Sequence, residues 1–190
     1  MAPDVPQSLW RFLFPRILEV LAAGEDLAGM SGIEVTFSCR FQVGDRSRWS
    51  EKEWSVIEEF RLELLNNITL EDGFNGSFED AMLLFVLAGW EEQVLFDQLW
   101  QWDTEKLVQH MNQYWSIIRH DGTIKRSPWI STFWPDKELA RSFFLSSRMY
   151  DRLVAYGTAE DTPAPLAQQA LEVADMIYWE LGCVEGIQTA

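Results

Sequence analysis

The chain has 190 residues, of which 47% are hydrophobic and 24% are charged, and its formal net charge at pH 7 is −15. These fractions are typical of a folded protein with a sizeable core, whereas the negative charge disfavours nucleic acid as a partner, because it repels phosphate. No apolar run approaches the ~20 residues of a membrane span, no signal peptide is recognisable, and two cysteines make no disulfide framework, so we expect a cytoplasmic protein.

The N-terminal half contains the clearest strand pattern of the chain. An apolar block over about residues 8–23 first predicts a helix, which Pro15 kinks or starts. Apolar and polar residues then alternate strictly from Ile33 to Val43, as in a strand with one buried face. Because a single strand leaves its backbone groups unpaired, we expect it to pair with residues 129–134 or with a second subunit.

The remaining elements are predicted to be helices. Ser50 and Glu53 have the spacing of a capping box, and Asp103 is placed to cap a later helix. One helix is expected from Pro135 to Gly157, followed by a linker-like loop over residues 157–165 and a final helix over about 166–181. The sequence therefore predicts one mainly α (α+β) domain over residues 1–190, with about six to seven helices and a small antiparallel sheet built on the strand 33–43.

The two histidines do not form a convincing metal site. If one helix carries both His110 and His120, ten residues separate them by ~15 Å along its axis, too far to share one ion. Asp121 would be a third ligand, but no further ligand motif accompanies it. We interpret Arg119 and His120 as the last turn of a helix, where positive charge is favourable, and predict no metal and no cofactor.

Other catalytic arrangements are also missing from the sequence. Cys39 lies on the apolar face of the predicted strand, where burial makes a thiol inert. The pairs Glu79–Asp80 and Glu91–Glu92 fall in predicted first turns, where acids stabilise a helix. No glycine-rich nucleotide motif is present. The sequence therefore favours a protein without enzymatic activity.

Two short basic and aromatic segments form the candidate site for a small anion. Each places two cations shortly before a tryptophan, and each lies in a loop beside a predicted strand. If those strands pair, the segments would meet in a positive pocket with aromatic walls. The candidate residues are Arg46, Arg48, Trp49, Lys125, Arg126 and Trp129.

An acidic segment provides the alternative site, which we favour. From Leu62 to Glu105 the chain has ten acidic residues and no Lys or Arg. Such a surface can steer a basic protein by charge. The partner-binding residues predicted on this ground are Glu71, Asp72, Glu79, Asp80, Glu91, Glu92 and Asp97.

Three functions are consistent with these features. The first is a non-enzymatic acidic protein that engages a basic protein partner, as an inhibitor, an antitoxin-like or immunity-like neutraliser, or a dedicated chaperone would. The second is an enzyme or sensor that binds a small anion between the two basic segments. The third is an inhibitor that mimics DNA, with carboxylates in place of phosphates. The chain is expected to be a monomer or a strand-linked homodimer.

Overall fold

The computed structural model of the chain describes residues 7–22, 43–68, 78–118, 124–126 and 134–187. The protein is mainly α-helical over these residues. Its helices, in chain order, are α1 (Gln7–Ala22), α2 (Glu51–Asn67), α3 (Phe78–Leu87), α4 (Glu92–Gln101), α5 (Thr104–Tyr114), α6 (Lys137–Phe144), α7 (Ser147–Gly157) and α8 (Ala164–Ile187). A 3-10 helix (Arg46–Arg48) precedes α2, and two short strands, β1 (Ser116–Ile118) and β2 (Ile124–Arg126), follow α5. None of the described helices has the length and apolar character needed to cross a membrane.

Aromatic rings from three helices and one loop form the centre of the core. The ring of Phe96 on α4 lies 4.5 Å from that of Phe143 on α6 and 5.7 Å from that of Trp134, centroid to centroid. Phe144 extends the cluster to Phe78 on α3, at 5.8 Å. Each such ring contributes about 1.5–3 kcal/mol through burial, so the cluster holds α3, α4 and α6 together.

Small residues let the last helix pack closely against its neighbours α5 and α7. Ala170 and Ala174 are buried on the face of α8 that was predicted to be apolar. A Cβ on Gly157, at the end of α7, would lie 3.0 Å from the carbonyl oxygen of Ala167. Tyr178, which the pattern places on the same side, is instead 59% exposed.

Local cap signals are confirmed by the structure. The Ser50 hydroxyl accepts from the backbone N–H of Glu53, and the Glu53 carboxylate accepts from that of Ser50 at 2.8 Å, so both halves of the capping box are present. Asp103 accepts from the N–H of Lys106 at 2.7 Å and begins α5. Each cap contributes about 1 kcal/mol, because it satisfies a backbone donor that the helix leaves free.

The predicted antiparallel sheet on residues 33–43 is wrong. The described sheet pairs β1 with β2, and Ile117 lies opposite Lys125. Val43, the only residue of the predicted strand that the structure describes, lies in a turn. β1 and β2 are close in sequence, so their pairing loses little chain entropy, whereas pairing 33–43 with 129–134 would close a far longer loop.

Two predicted helices also have different bounds. The helix expected from Pro135 to Gly157 is divided into α6 and α7, and the Ser146 hydroxyl caps α7 by accepting from the N–H of Met149 at 3.1 Å. The helix that was expected to reach His120 ends at Tyr114. His120 itself lies outside the described residues, so its predicted role remains a prediction.

Candidate functional site

The first basic segment binds acidic residues that are close to it in the chain. The Arg46 guanidinium lies 2.7 Å from the Oε2 atom of Glu51, and the Nε atom of Arg48 lies 3.1 Å from the Oδ2 atom of Asp45. The half-buried Trp49 donates its indole N–H to the backbone. These cations are therefore at least partly neutralised by neighbouring acids.

The second basic segment is described only in part. Lys125 and Arg126 lie in β2, opposite Ile117 and Ser116 of β1. Trp129 lies outside the described residues. The described ion pairs of Arg46 and Arg48 are made with Glu51 and Asp45, and the predicted meeting of the two segments remains a prediction.

Of the seven predicted partner-binding acids, Glu91 and Asp97 are exposed at the start and middle of α4. Asp97 accepts a hydrogen bond from Gln93 at 2.9 Å, one turn earlier on the same helix. Glu79 and Asp80 lie in the first turn of α3. Glu71 and Asp72 lie outside the described residues.

Glu92 differs from these acids because it is buried, with 9% of its surface exposed. Its Oε1 atom accepts from the backbone N–H of Asp136 at 3.2 Å, which ties the start of α4 to the start of α6. Burial raises the pKa of Glu92, and the Asp136 carboxylate raises it further, whereas the hydrogen bond lowers it. Glu92 therefore makes its described contact within the chain, and its predicted role in partner binding remains a prediction.

Arg61 forms the centre of a buried polar layer between α2 and α4. Only 4% of its surface is exposed. Its Nε and Nη2 atoms donate to the Oε2 atom of Glu58 at 3.2 and 2.9 Å, and its Nη1 atom donates to the Gln98 side chain. Gln98 in turn donates to the carbonyl oxygen of Leu62 at 3.1 Å. Each nitrogen of the guanidinium thus donates a hydrogen bond, which compensates the burial of its charge.

Lys106, a residue of α5, caps the C-terminal end of α2. Its Nζ atom donates to the carbonyl oxygens of Leu65, at 3.4 Å, and Asn66, which the helix itself leaves without partners. The same Nζ atom lies 3.9 Å from the centre of the Trp102 ring. Burial lowers the pKa of Lys106, and the Asp103 carboxylate opposes that shift.

A groove of about 550 Å³ lies over this polar layer, and we call it the α2–α4 groove. It is lined by apolar, amide, acidic and basic side chains, with Arg61 and Lys106 as the two cations. Leu62 on α2 and Val94 on α4 each keep 41% of their surface exposed there, and Asp97 and Asp103 add carboxylates. The two carboxylates are matched by the two cations of the lining, so the groove itself carries no formal net charge.

The sequence predicted Asp97 as a binding residue but gave no prediction of the groove that it lines. One available signal is that Leu62 and Val94 are apolar at positions where an amphipathic helix normally exposes polar residues. Another is Arg61, which lies between Ile57 and Leu65 at the four-residue spacing of a buried stripe. An arginine at such a position needs partners from a neighbouring helix.

His110 is a core residue. It is 2% exposed, its Nε2 atom lies 3.3 Å from the carbonyl oxygen of Ile68, and its ring packs edge-on against Phe78 at 5.6 Å. Burial lowers its pKa to about 4, and the nearby Lys106 charge acts in the same direction, so the ring is neutral at pH 7. Within the described ranges, no three His, Cys, Asp or Glu side chains are grouped to hold a metal ion.

Comparisons with known proteins add no functional information to this geometry. We compared the chain with protein-family models, with curated proteins and with solved structures. None of the three comparisons finds a match.

Proposed function

We propose that this protein is a non-enzymatic acidic binding protein that engages a basic protein partner. The observation that carries the proposal is the different use of the two signs of charge. Arg61, Lys106 and Arg152 make contacts within the chain, whereas several carboxylates of α2, α4 and α5 remain exposed on the surface.

The cations support this proposal because several of them already have partners within the chain. Arg61 is buried with Glu58, and Lys106 closes α2. Arg152 on α7 donates to the Thr104 hydroxyl at 2.9 Å and to the carbonyl oxygen of Trp100 at 3.3 Å, at the junction of α4 and α5. Guanidinium and ammonium groups used in this way are poorly available to an anionic ligand.

The exposed carboxylates also support the proposal. Exposed acids follow one another on α2, at the start and middle of α4, and in the first turn of α5: Glu59, Glu63, Glu91, Asp97 and Glu105. Charges of one sign steer an oppositely charged protein and raise its association rate by about 10–10³-fold at low salt. A protein that covers a basic surface in this way needs no chemistry of its own.

The first experiment retrieves the partner with the tagged full chain from cells that produce it. We expect a basic protein that is released as salt rises, because screening acts over a Debye length of ~8–10 Å. The partner and the chain are then purified, and their association rate is measured over a range of salt concentrations. A partner with an acidic or neutral surface would contradict the proposal.

The second experiment reverses four acids to Lys: Glu59, Glu63, Glu91 and Asp97. We expect the association rate at low salt to fall by about tenfold or more, since steering acts mainly on that rate. The matched control reverses four exposed acids of α6, α7, the following loop and α8: Glu138, Asp151, Glu160 and Asp175. Equal slowing by both variants would mean that only net charge matters.

The same measurement distinguishes a DNA mimic from an inhibitor of another basic protein. If the partner binds DNA, duplex DNA should compete with the chain for it. If the partner does not bind DNA, added duplex leaves the complex intact, and the mimic hypothesis is rejected.

A further inference from the structure

Two large aromatic side chains are exposed side by side on α8. Trp179 keeps 70% of its surface exposed, and Tyr178 is also exposed. Their ring centroids lie 6.2 Å apart, and the Tyr178 ring lies at the same distance from that of Tyr150 on α7. Trp and Tyr rings are enriched where proteins contact their partners. The exposed pair is therefore a candidate contact surface.

The charged side chains beside these rings are acidic. Asp175 is exposed one helical turn before both rings, and Glu172 lies two turns before Trp179 on the same face of the helix. α8 contains no Lys or Arg. We call Glu172, Asp175, Tyr178 and Trp179 the α8 stripe, which combines aromatic rings with charge of one sign.

The helices that pack against α8 direct their cations to other parts of the chain. These helices are α5 and α7. Lys106 of α5 lies 3.9 Å from the centre of the Trp102 ring. Arg148 and Arg152 of α7 lie 4.0 and 5.9 Å from the centre of the Trp100 ring. The described ring contacts of these cations are made around the end of α4, so the stripe keeps its negative charge.

The rings and the carboxylates of the stripe favour the same ligand. The face of a Trp ring attracts a cationic side chain, and a carboxylate beside the ring attracts the same group. Phosphate would be repelled, and a second copy of this acidic chain would bring like charges together. Arg suits the stripe better than Lys, because a planar guanidinium can stack on Trp179 and also donate hydrogen bonds to Asp175.

We propose that the α8 stripe is a docking site for an arginine-bearing segment of the basic partner, with the guanidinium over the Trp179 ring and beside Asp175. This inference rests on the proposed function and names the side chain of the partner that is recognised. The exposed acids of α2 and α4 steer the partner over a distance, whereas the stripe holds the partner by direct contact.

The test uses two synthetic peptides of about 12 residues, in which Gly alternates with Arg in one and with Lys in the other, added to the isotope-labelled full chain. Because both peptides have the same charge, general attraction to the acidic chain is equal for both. We expect the Arg peptide to shift the indole N–H signal of Trp179 and the amide signals of Asp175 and Tyr178, and to bind there more tightly than the Lys peptide. Equal binding of both peptides at these signals would overturn the proposed stacking.

Removal of the Trp179 ring should weaken the binding. Trp179→Ala should raise the dissociation constant of the Arg peptide, read from the Asp175 amide signal, by about two- to fivefold, as for an exposed cation–π contact. Trp179→Phe keeps a ring and should retain most of the affinity. The matched control is Phe12→Ala, which removes a ring that is 79% exposed on α1 beside Arg11 and Arg16. Equal weakening by Trp179→Ala and Phe12→Ala would overturn the proposal.

Removal of the negative charge provides an independent variant. Asp175→Asn should weaken binding of the Arg peptide by about two- to fivefold at low salt. The control is Glu138→Gln, at an exposed acid of α6, which should leave binding at the stripe unchanged. Equal weakening by these two variants would overturn the role of Asp175, since only the net charge would then matter. Thermal melts of each variant verify folding.

The outcomes also separate this inference from the proposed function. If the Arg peptide leaves the Trp179 signal unchanged, the stripe is not the docking site, yet reversal of the four acids of α2 and α4 would still slow association of the partner. The control for that reversal includes Asp175, and one reversed acid of the stripe should slow association less than four reversed acids do. If the partner retrieved from cells is not basic, the proposed function fails, and the arginine-bearing segment fails with it.

Discussion

At the scale of single residues, Gly44 lies directly against neighbouring backbone. Its backbone N–H donates to the carbonyl oxygen of Ala88 at 2.8 Å, so the chain before α2 lies directly on the turn that ends α3. A Cβ on Gly44 would lie 2.5 Å from the carbonyl carbon of Gly89 and 2.5 Å from the nitrogen of Trp90. Gly89 itself has a φ of 103°, which favours glycine. Two glycines therefore make this close contact possible.

We expect Gly44→Ala to lower the free energy of unfolding by about 1–3 kcal/mol or more, because its Cβ meets backbone that cannot move aside. The measurement is urea unfolding followed by circular dichroism. The matched control is Gly182→Ala on α8, where an added Cβ meets nothing within 4 Å. That change should stabilise by up to about 1 kcal/mol, through helix propensity. Equal stability of the two variants would contradict the described contact.

His110 makes the stability depend on pH. Its folded pKa of about 4 lies below the unfolded value of 6.5. Between those values the unfolded chain binds a proton that the folded chain does not, so stability is complete above pH 6.5 and decreases as the pH falls towards 4. The total loss is roughly 3 kcal/mol, since each unit corresponds to ~1.4 kcal/mol.

The pH prediction is tested by urea unfolding of the wild type and of His110→Gln between pH 7 and pH 4. We expect the stability difference between the two proteins to shrink as the pH falls, because Gln does not titrate. Glu92 and the other carboxylates titrate in both proteins, so the comparison removes their effect to first order. Parallel stability curves would show that His110 is not buried in its neutral form.

At the scale of elements, helix starts and helix ends are stabilised by different parts of the chain. The starts of α2, α5 and α7 use the residue immediately before each helix, Ser50, Asp103 and Ser146. The ends of α2 and α4 use Lys106 and Arg152, which come from other helices. Cationic side chains suit these ends because the last carbonyls carry partial negative charge.

We expect Arg152→Met to lower the free energy of unfolding by about 1–3 kcal/mol, since it leaves the carbonyl oxygens of Trp100 and Trp102 without their donor. The control is Arg148→Met, one turn earlier on α7. Arg148 is exposed, and its guanidinium lies 4.0 Å from the centre of the Trp100 ring. Its replacement should cost about 1 kcal/mol or less. A larger loss in the control than in Arg152→Met would rule out the cap.

At the scale of the whole molecule, the net charge of −15 acts against compactness. Like charges repel more strongly in the folded chain than in the expanded one. Ion pairs such as Arg46–Glu51 and Arg16–Glu19 are exposed and offset little of this repulsion. The acidic surface proposed for partner binding therefore lowers stability while the partner is absent.

We expect 0.5 M sodium chloride to raise the melting temperature by about 2–4 °C, which corresponds to ~1 kcal/mol for a chain of this size. Screening of the acidic surface is the physical reason. In the variant with Glu59, Glu63, Glu91 and Asp97 changed to Lys, net charge is much smaller and the salt effect should shrink. If salt raises the melting temperature of both proteins equally, the cause would be the general exclusion of salt from the protein surface rather than screening of these acids.

Short-range signals account for most of what could be predicted about the fold. The capping box at Ser50 and the cap at Asp103 were each predicted from residues adjacent to the start of a helix. The division between α6 and α7 was missed, although Ser146 is itself a good cap, because the apolar spacing continues across it. The prediction of a sheet on residues 33–43 was wrong because alternation indicates which face of a strand is buried but does not identify the strand that pairs with it.

The candidate site depended more strongly on tertiary structure. The excess of acids from Leu62 to Glu105 is visible in the sequence, but the burial of Glu92 and the exposure of Asp97 are not. The α2–α4 groove lies over a contact between Arg61 on α2 and Gln98 on α4. No local sequence pattern indicates a contact between two helices.

The sequence by itself determined the charge, the mainly helical character and the residues that begin several helices, because these depend on composition and on contacts within one turn. Only the tertiary structure decided which cations close other helices, which carboxylate is buried and where Leu62 and Val94 lie together. Those outcomes depend on side chains far apart in the chain, whose meeting is set by the packing of the whole core.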